Sequence, residues 1–502
     1  MLADKVRAPW RLAVAAIGMT AIAWSVGQLV IGRAEQAVDA AQGTAGGAGA
    51  RPVYVHVKLA HARAWSATIA SAHVPHEMLF TSYAASAEID ESDPRTQWMR
   101  VAARSIAEAD ELVRRLAVDP AVEQAFVAPD ITLATTEWAH EGAGEDVGID
   151  GRDAARQALI REDVWTSVDD GPSCPLTTPS YESYQGYLGP APHGIDAPSA
   201  WMRGFRGRGV WFADIEGGWN AQHEDLPGDR IANVIGEPVR DPMWRAHGTA
   251  VLGEVAGRDN GKGVVGIAPD VERVFTGSIF GTSVANAIDA TARQLRPGDV
   301  LLIELQGGGP RGRYIPVEYW DDVYAAIAAA TKRGVIVVEA AGNGGENLDH
   351  VTYDRKFDPK KRDSGAIMVG AGGPPRTGFK DRERLDFSNY GARVNVQGWG
   401  RKVATLDYGD LQACDDDEGV DAGAYTDRHY TNEFSGTSSA SPIVAGAAVI
   451  LEGIARERKG RALSPAELRA LLESTGTPQL GNTKERIGPR PDLARAIERV
   501  VR

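Results

Sequence analysis

The chain has 502 residues and is 43% apolar, enough to bury a large core and to form more than one domain. A formal net charge of −14, with no Lys/Arg-rich tract, excludes a nucleic-acid partner, because the phosphate backbone would be repelled. Cys174 and Cys414 are the only two cysteines and no Cys-x-x-Cys occurs, which excludes a zinc ribbon and a thioredoxin-like redox site.

Lys5, Arg7 and Arg11 precede an uncharged apolar run over residues 12–32, followed by small residues at Ala34, Ala37 and Ala40. That order is a secretory signal, and the run is also long enough to stay in the bilayer as an anchor. Residues 1–40 are therefore expected to be a signal peptide or an N-terminal membrane anchor. The protein is expected to be secreted or extracytoplasmic, and membrane-anchored through residues 12–32 if that segment is retained. In such a compartment the two cysteines either form one long-range disulfide or remain as buried thiols.

After an Ala/Gly linker, Val53-Tyr54-Val55-His56-Val57-Lys58-Leu59 alternates as a half-buried strand. Ile106, Ala109, Leu112, Val113 and Leu116 recur at helical spacing, Asp119-Pro120 ends that pattern, and residues 122–133 read as extended. Residues 41–133 thus form a small α+β unit without obvious catalytic groups. A polar connector over 134–180, with one helical stretch at 154–164, is a natural site of proteolytic clipping.

The larger unit, 181–502, alternates apolar strands with helices. Strands are expected over 210–215, 274–279, 300–305, 335–341, 366–371 and 394–397, several of them apolar throughout, as in parallel strands covered on both faces. A helix over 317–333 can be capped by Gly334, and Ser464-Pro465-Ala466-Glu467 opens another as a capping box. The fold class is α/β: a doubly wound, mostly parallel sheet with helices on both faces, preceded by the small α+β domain.

Phe434-Ser435-Gly436-Thr437-Ser438-Ser439-Ala440-Ser441-Pro442 leads into an apolar helix, so Ser438 would sit at a helix N-terminus, where amide donors favour a developing negative charge. Serine needs a base, and Ala246-His247-Gly248-Thr249 supplies one. These segments resemble the Gly-Thr-Ser-x-Ala-x-Pro and His-Gly-Thr motifs of the subtilisin-like serine peptidases. Asp214 closes the apolar strand Gly209-Val210-Trp211-Phe212-Ala213 and is expected as the acid that orients His247, with Glu216 and Asp225 as rivals. The family follows its Asp with Thr or Ser and then Gly, whereas here Ile215-Glu216-Gly217-Gly218 follows. Chain order Asp, His, Ser is that of subtilisin, and the absence of a Gly-x-Ser-x-Gly elbow disfavours an α/β-hydrolase esterase.

Ala341-Gly342-Asn343 resembles the family's oxyanion-hole segment, which implies that Asn343 and the Ser438 amide stabilise the tetrahedral intermediate. Glu304-Leu305-Gln306-Gly307 stands where the family has the Ser-Leu-Gly strand that pairs with substrate. Glu304 there either favours a basic residue before the scissile bond or pairs internally with Arg or Lys. The resemblance covers Gly194 to the C-terminus, and it makes the α+β unit either an inhibitory prosegment or a permanent binding module. No cofactor or catalytic metal is implied. Asp415-Asp416-Asp417-Glu418 could help hold a structural calcium or be a solvated acidic loop. The implied activity is endoproteolysis of polypeptide substrates through an acyl-enzyme, with the chain's own prosegment as intramolecular inhibitor. A catalytically silent binding protein on the same fold is the alternative.

Overall fold

The computed structural model describes residues 52–62, 67–72, 74–81, 92–135, 174–414 and 427–501. The signal or anchor segment, the connector helix and the acidic run at 415–418 lie outside these residues.

In the first unit, alternation builds a sheet. β1 (Val53–Leu59) is followed by α1 (Ala67–Ala72), β2 (His76–Met78), β3 (Trp98–Ala103), α2 (Ile106–Leu116) and β4 (Val122–Val127). The strands pair antiparallel in the order β2-β3-β1-β4. Val55, Val57 and Leu59 pack with Ala109, Leu112 and Leu116 of α2, whose first turn is capped by the Ser105 side chain. The extended stretch expected over 122–133 is two strands. It breaks at Pro129-Asp130, and β5 (Ile131–Leu133) joins a different sheet, in the second unit.

The second unit continues with α3 (Ala197–Trp201), β6 (Trp211–Glu216), β7 (Ile231–Ile235), α4 (Pro242–Ala256), β8 (Arg273–Ser278), α5 (Val284–Ala292) and β9 (Val300–Ile303). Then come β10 (Leu305–Gly308), β11 (Tyr314–Pro316), α6 (Asp321–Lys332), β12 (Ile336–Ala340), β13 (Ile367–Gly372) and β14 (Val396–Trp399). The hairpin β15 (Val403–Leu406) and β16 (Tyr430–Phe434) precedes α7 (Thr437–Lys459), α8 (Pro465–Thr475) and α9 (Leu493–Val501). Seven parallel strands in the order β14-β13-β12-β9-β6-β8-β7 form the central sheet. α4 packs with α7, and α5 with α6. The fold is the doubly wound α/β sheet that the sequence implies.

All six expected strands are present within two residues, and Ser464 and Glu467 form the capping box at α8. The sheet also holds β7, which the sequence reading passes over. Its burial is partial and Asn233 lies in its middle, so an edge strand carries no apolar run to betray it. α7 is buried over most of its length despite 23 residues of apolar character, as befits a core helix.

Cys174 and Cys414 form a disulfide with Cα atoms 4.8 Å apart. The Cys174→Ser/Cys414→Ser double variant is expected to lose about 2–4 kcal/mol of stability. A denaturant melt of the oxidised protein checks this, and an unchanged midpoint counts against a stabilising bridge.

Candidate active site

The order of the sheet brings the C-terminal ends of β6 and β9 together under the N-terminus of α7, the crevice where an open parallel sheet presents its functional groups. Gly436 precedes α7 with φ +104°, a conformation that favours glycine, and a Cβ there would lie 2.4 Å from the Ala134 carbonyl oxygen. Ser438 follows as the second helical residue. Its amide donates to that same Ala134 oxygen at 3.0 Å.

Asn343 is held by three hydrogen bonds. Its backbone N–H donates to Gln306 Oε1 at 2.7 Å, and its Oδ1 accepts from Thr437 N at 2.9 Å and Thr437 Oγ1 at 3.0 Å. The neighbouring Gly342 N donates to Thr437 Oγ1 at 3.1 Å. With Oδ1 so used, the buried Nδ2 is left as an unpaired donor, 3.1 Å from where a Gly436 Cβ would stand. Ala134, Ser438 N and Asn343 Nδ2 thus surround one small space.

That carbonyl belongs to a segment lying in the cleft. β5 pairs antiparallel with β10, Ile131 opposite Gly307, Thr132 opposite Gln306 and Leu133 opposite Leu305. The ladder continues with Ala134 N donating to Glu304 O at 3.3 Å, and Gln306 Nε2 donates to Leu133 O at 2.6 Å. Residues 304–307 therefore hold the chain's own residues 131–134 as an added strand at a sheet edge.

His247 lies in the second turn of α4, a helix opened by Asp241 and Pro242. Gly248 is required by a close approach. A Cβ there would meet Gly218 O at 2.3 Å and the Trp219 indole at 2.7 Å. Thr249 accepts from Asn220 N at 2.8 Å, fixing the loop after β6. His247 is fully buried, edge-on to Phe434 with ring centroids 5.4 Å apart.

The carboxylate at the imidazole is Glu216. His247 Nδ1 lies 2.5 Å from Glu216 Oε1, and Gly217 N donates to Glu216 Oε2 at 3.3 Å. Asp214 is not at that position, which corrects the expected assignment. Its Oδ2 accepts from Trp219 Nε1 at 2.7 Å, and it lies two residues, about 7 Å, further back along β6. Both side chains point to the same face of the strand, but only the terminal one reaches α4. The sequence carried a signal for this: acid-x-Gly is satisfied by Glu216-Gly217-Gly218 and not by Asp214. Asp225, the other rival, accepts from Asn260 Nδ2 and Val264 N instead.

Glu304 also departs from expectation. Its side chain is fully buried, and among the described residues no Arg or Lys forms the expected internal ion pair with it. Its neighbours are the Ser441 and Ser438 hydroxyls and the Asp214 and Glu216 carboxyls.

Burial dominates the electrostatics. It lowers His247 to about 3 and raises Glu216 well above the usual carboxylate range. Burial, then the Glu216 charge, raises Asp214, against the Trp219 hydrogen bond. A neutral imidazole with Nδ1–H on Glu216 leaves Nε2 as the basic nitrogen, and in this covered arrangement neither Nε2 nor Ser438 Oγ has a hydrogen-bond partner among the described residues. Among the described residues no cluster of three or more His, Cys, Asp or Glu is arranged to hold a metal ion.

The Subtilase family matches residues 229–488, beginning after β6, so the acid-bearing strand lies outside the matched span. Subtilisin DY of Bacillus licheniformis is 30% identical over 56% of this chain and 89% of its own length. Subtilisin BL of Lederbergia lenta is 29% identical over 58% of this chain and 91% of its own. The intracellular serine protease of Paenibacillus polymyxa is 28% identical over 59% and 81%. The chain belongs to the subtilase family and is a subtilisin-like serine endopeptidase.

In the full-length chain carrying Ser438→Ala, the His247 imidazole is expected to stay neutral well below pH 6.5, because its pKa is lowered to about 3 by burial. Imidazole nitrogen NMR during an acid titration reads this directly, and protonation near pH 6.5 would contradict the sealed geometry.

Proposed function

We propose that the chain is an exported zymogen whose catalytic centre is Ser438, His247 and Glu216, and that it cuts its own Ala134–Thr135 bond. The observation that carries the reading is the Ala134 carbonyl on the Ser438 amide, at the end of a strand laddered onto β10.

His247 Nε2 takes the Ser438 hydroxyl proton as Oγ attacks a carbonyl carbon held where that of Ala134 lies. Glu216 accepts from Nδ1–H, fixes the tautomer and balances the imidazolium that forms. The oxygen becomes an oxyanion between Ser438 N–H and Asn343 Nδ2–H. Imidazolium then protonates the leaving amine, the peptide bond breaks, and an acyl-enzyme remains. Water, deprotonated by His247, repeats the sequence and frees Ser438. After cleavage, residues 131–134 still pair with residues 304–307, so the severed strand is an inhibitor until it leaves. Polypeptide substrates would use the same ladder. Export is supported by the Cys174–Cys414 bridge, which persists in oxidising compartments.

Native protein is expected to mature with Thr135 as its N-terminal residue, and Ser438→Ala to remain uncut. N-terminal sequencing reads both, and labelling of native but not Ser438→Ala protein by a serine-directed phosphonate separates the enzyme from a silent binding relative. Equal labelling of the two would sink the reading.

The two acids are told apart by kinetics. Glu216→Gln is expected to lower kcat by up to about 10,000-fold, through loss of the correct tautomer, and Asp214→Asn by less than about tenfold. The reverse ranking of kcat would return Asp214 to the centre. Asn343→Ala is expected to cost about 100- to 1,000-fold in kcat.

A further inference from the structure

A buried carboxyl group beside the nucleophile has no part in the mechanism above. Parallel pairing sets Asp214 opposite Leu302 and Ile215 opposite Ile303, so the next step along both strands brings Glu304 beside Glu216. Side chains two residues apart share a face, which gathers Asp214, Glu216 and Glu304 on one side of the sheet. Facing them are His247 from α4 and the Ser438 and Ser441 hydroxyls from α7. Glu339 on neighbouring β12 is committed elsewhere, its Oε1 accepting from Glu318 N beside Arg393. Among the described residues no Lys or Arg pairs with any of the three grouped carboxyls.

A dry pocket without a cation holds one negative charge far more easily than two or three. The donors decide where it goes. Glu216 has His247 Nδ1 and Gly217 N, and Asp214 has Trp219 Nε1. The donors near Glu304 are hydroxyls, and among the described residues neither of its oxygens completes a hydrogen bond. The charge falls to Glu216, and Glu304 keeps its proton.

We propose that Glu304 is a neutral carboxylic acid that positions Ser438, leaving the serine hydroxyl proton for His247. A carboxylic acid can donate to a lone pair of Oγ while the Oγ–H points at Nε2. Ionised, Glu304 becomes the strongest acceptor beside Oγ–H, draws that hydrogen bond away from His247, and sets a second negative charge against Glu216. Its backbone carbonyl meanwhile receives the amide of Ala134 at 3.3 Å. One residue thus holds both the peptide residue before the scissile bond and the nucleophile. Burial, and then the neighbouring Asp214 and Glu216 carboxyls against the two hydroxyls, keep the Glu304 pKa well above the ordinary carboxylate range.

This inference rests on the peptidase reading, and one experiment separates their failures. Processed native enzyme and Glu304→Gln are compared for kcat/KM from about pH 6 to about pH 11, with sites counted by phosphonate labelling. The native rate is expected to fall on the alkaline side by about tenfold per pH unit beyond the ionisation of Glu304. Gln, neutral and of the same shape, is expected to abolish that limb, so the ratio of alkaline to neutral rate rises by about tenfold or more. A native profile that stays flat through the alkaline range overturns the role of Glu304 whether or not the variant folds. So does a variant profile of unchanged shape. Absence of labelling in both proteins at every pH overturns the peptidase reading itself, and this role with it.

Discussion

The hydrogen bond between His247 and Glu216 governs the arrangement of the whole centre. Both groups are fully buried, and the pocket around them contains two further carboxyls with no compensating cation among the described residues. In such a place a charge persists only where donors converge on it. Glu216 receives the imidazole and a backbone amide because it stands at the last position of β6, where the strand gives way to Gly217 and Gly218. Trp219 reaches back to Asp214, and Trp244 closes over the strand end so tightly that a Cβ on Gly217 would lie 2.4 Å from its ring. The two tryptophans exclude water from the acid's side of the histidine, which raises the strength of the bond that orients it.

A second network ties the ladder that holds residues 131–134 to Asn343 and the start of α7. Gln306 donates to the cleft strand with Nε2 and accepts the Asn343 amide with Oε1, while Asn343 Oδ1 takes two donors from Thr437. Three chain segments, β10, the loop after β12 and the start of α7, are thereby fixed to one another through two side-chain amides. Preorganisation of this sort matters because a donor that must rotate into place during reaction loses much of its electrostatic advantage. Occupancy of the ladder by residues 131–134 also explains the burial of His247 and Ser438: the strand that fills the cleft removes water from both.

Most of the catalytic unit was legible in the sequence because its strands are apolar on both faces and its helix starts carry caps. Val300, Leu301, Leu302 and Ile303 can hardly be anything but a core strand, and Ser464 with Glu467 marks α8 by local hydrogen bonding alone. Ser438, His247 and Asn343 stood out because each lies in a motif whose glycine is forced by backbone approach, as at Gly436 and Gly248. β7 escaped since half-exposed edge strands mix polar and apolar residues. Which acid meets the imidazole was not legible for a different reason. Asp214 and Glu216 share one face of one strand, and only the distance from strand to helix, a tertiary quantity, selects between them. The surroundings of the Glu304 side chain were not legible, because its backbone carbonyl pairs with Ala134 while alternation along a strand sends the side chain of such a residue elsewhere.

The choice of glutamate at the strand end has a geometric consequence for the nucleophile. Glu216 bonds the imidazole from a carboxyl one methylene further from its Cα than an aspartate's would be, and on the neighbouring strand Glu304 is fully buried beside Ser438. Both long acids thus fill the same buried pocket. Shortening either alone would open a cavity lined by polar groups in the driest part of the molecule, and water entering there would solvate the second carboxyl and favour its ionisation. The two residues are thus coupled by volume as well as by charge.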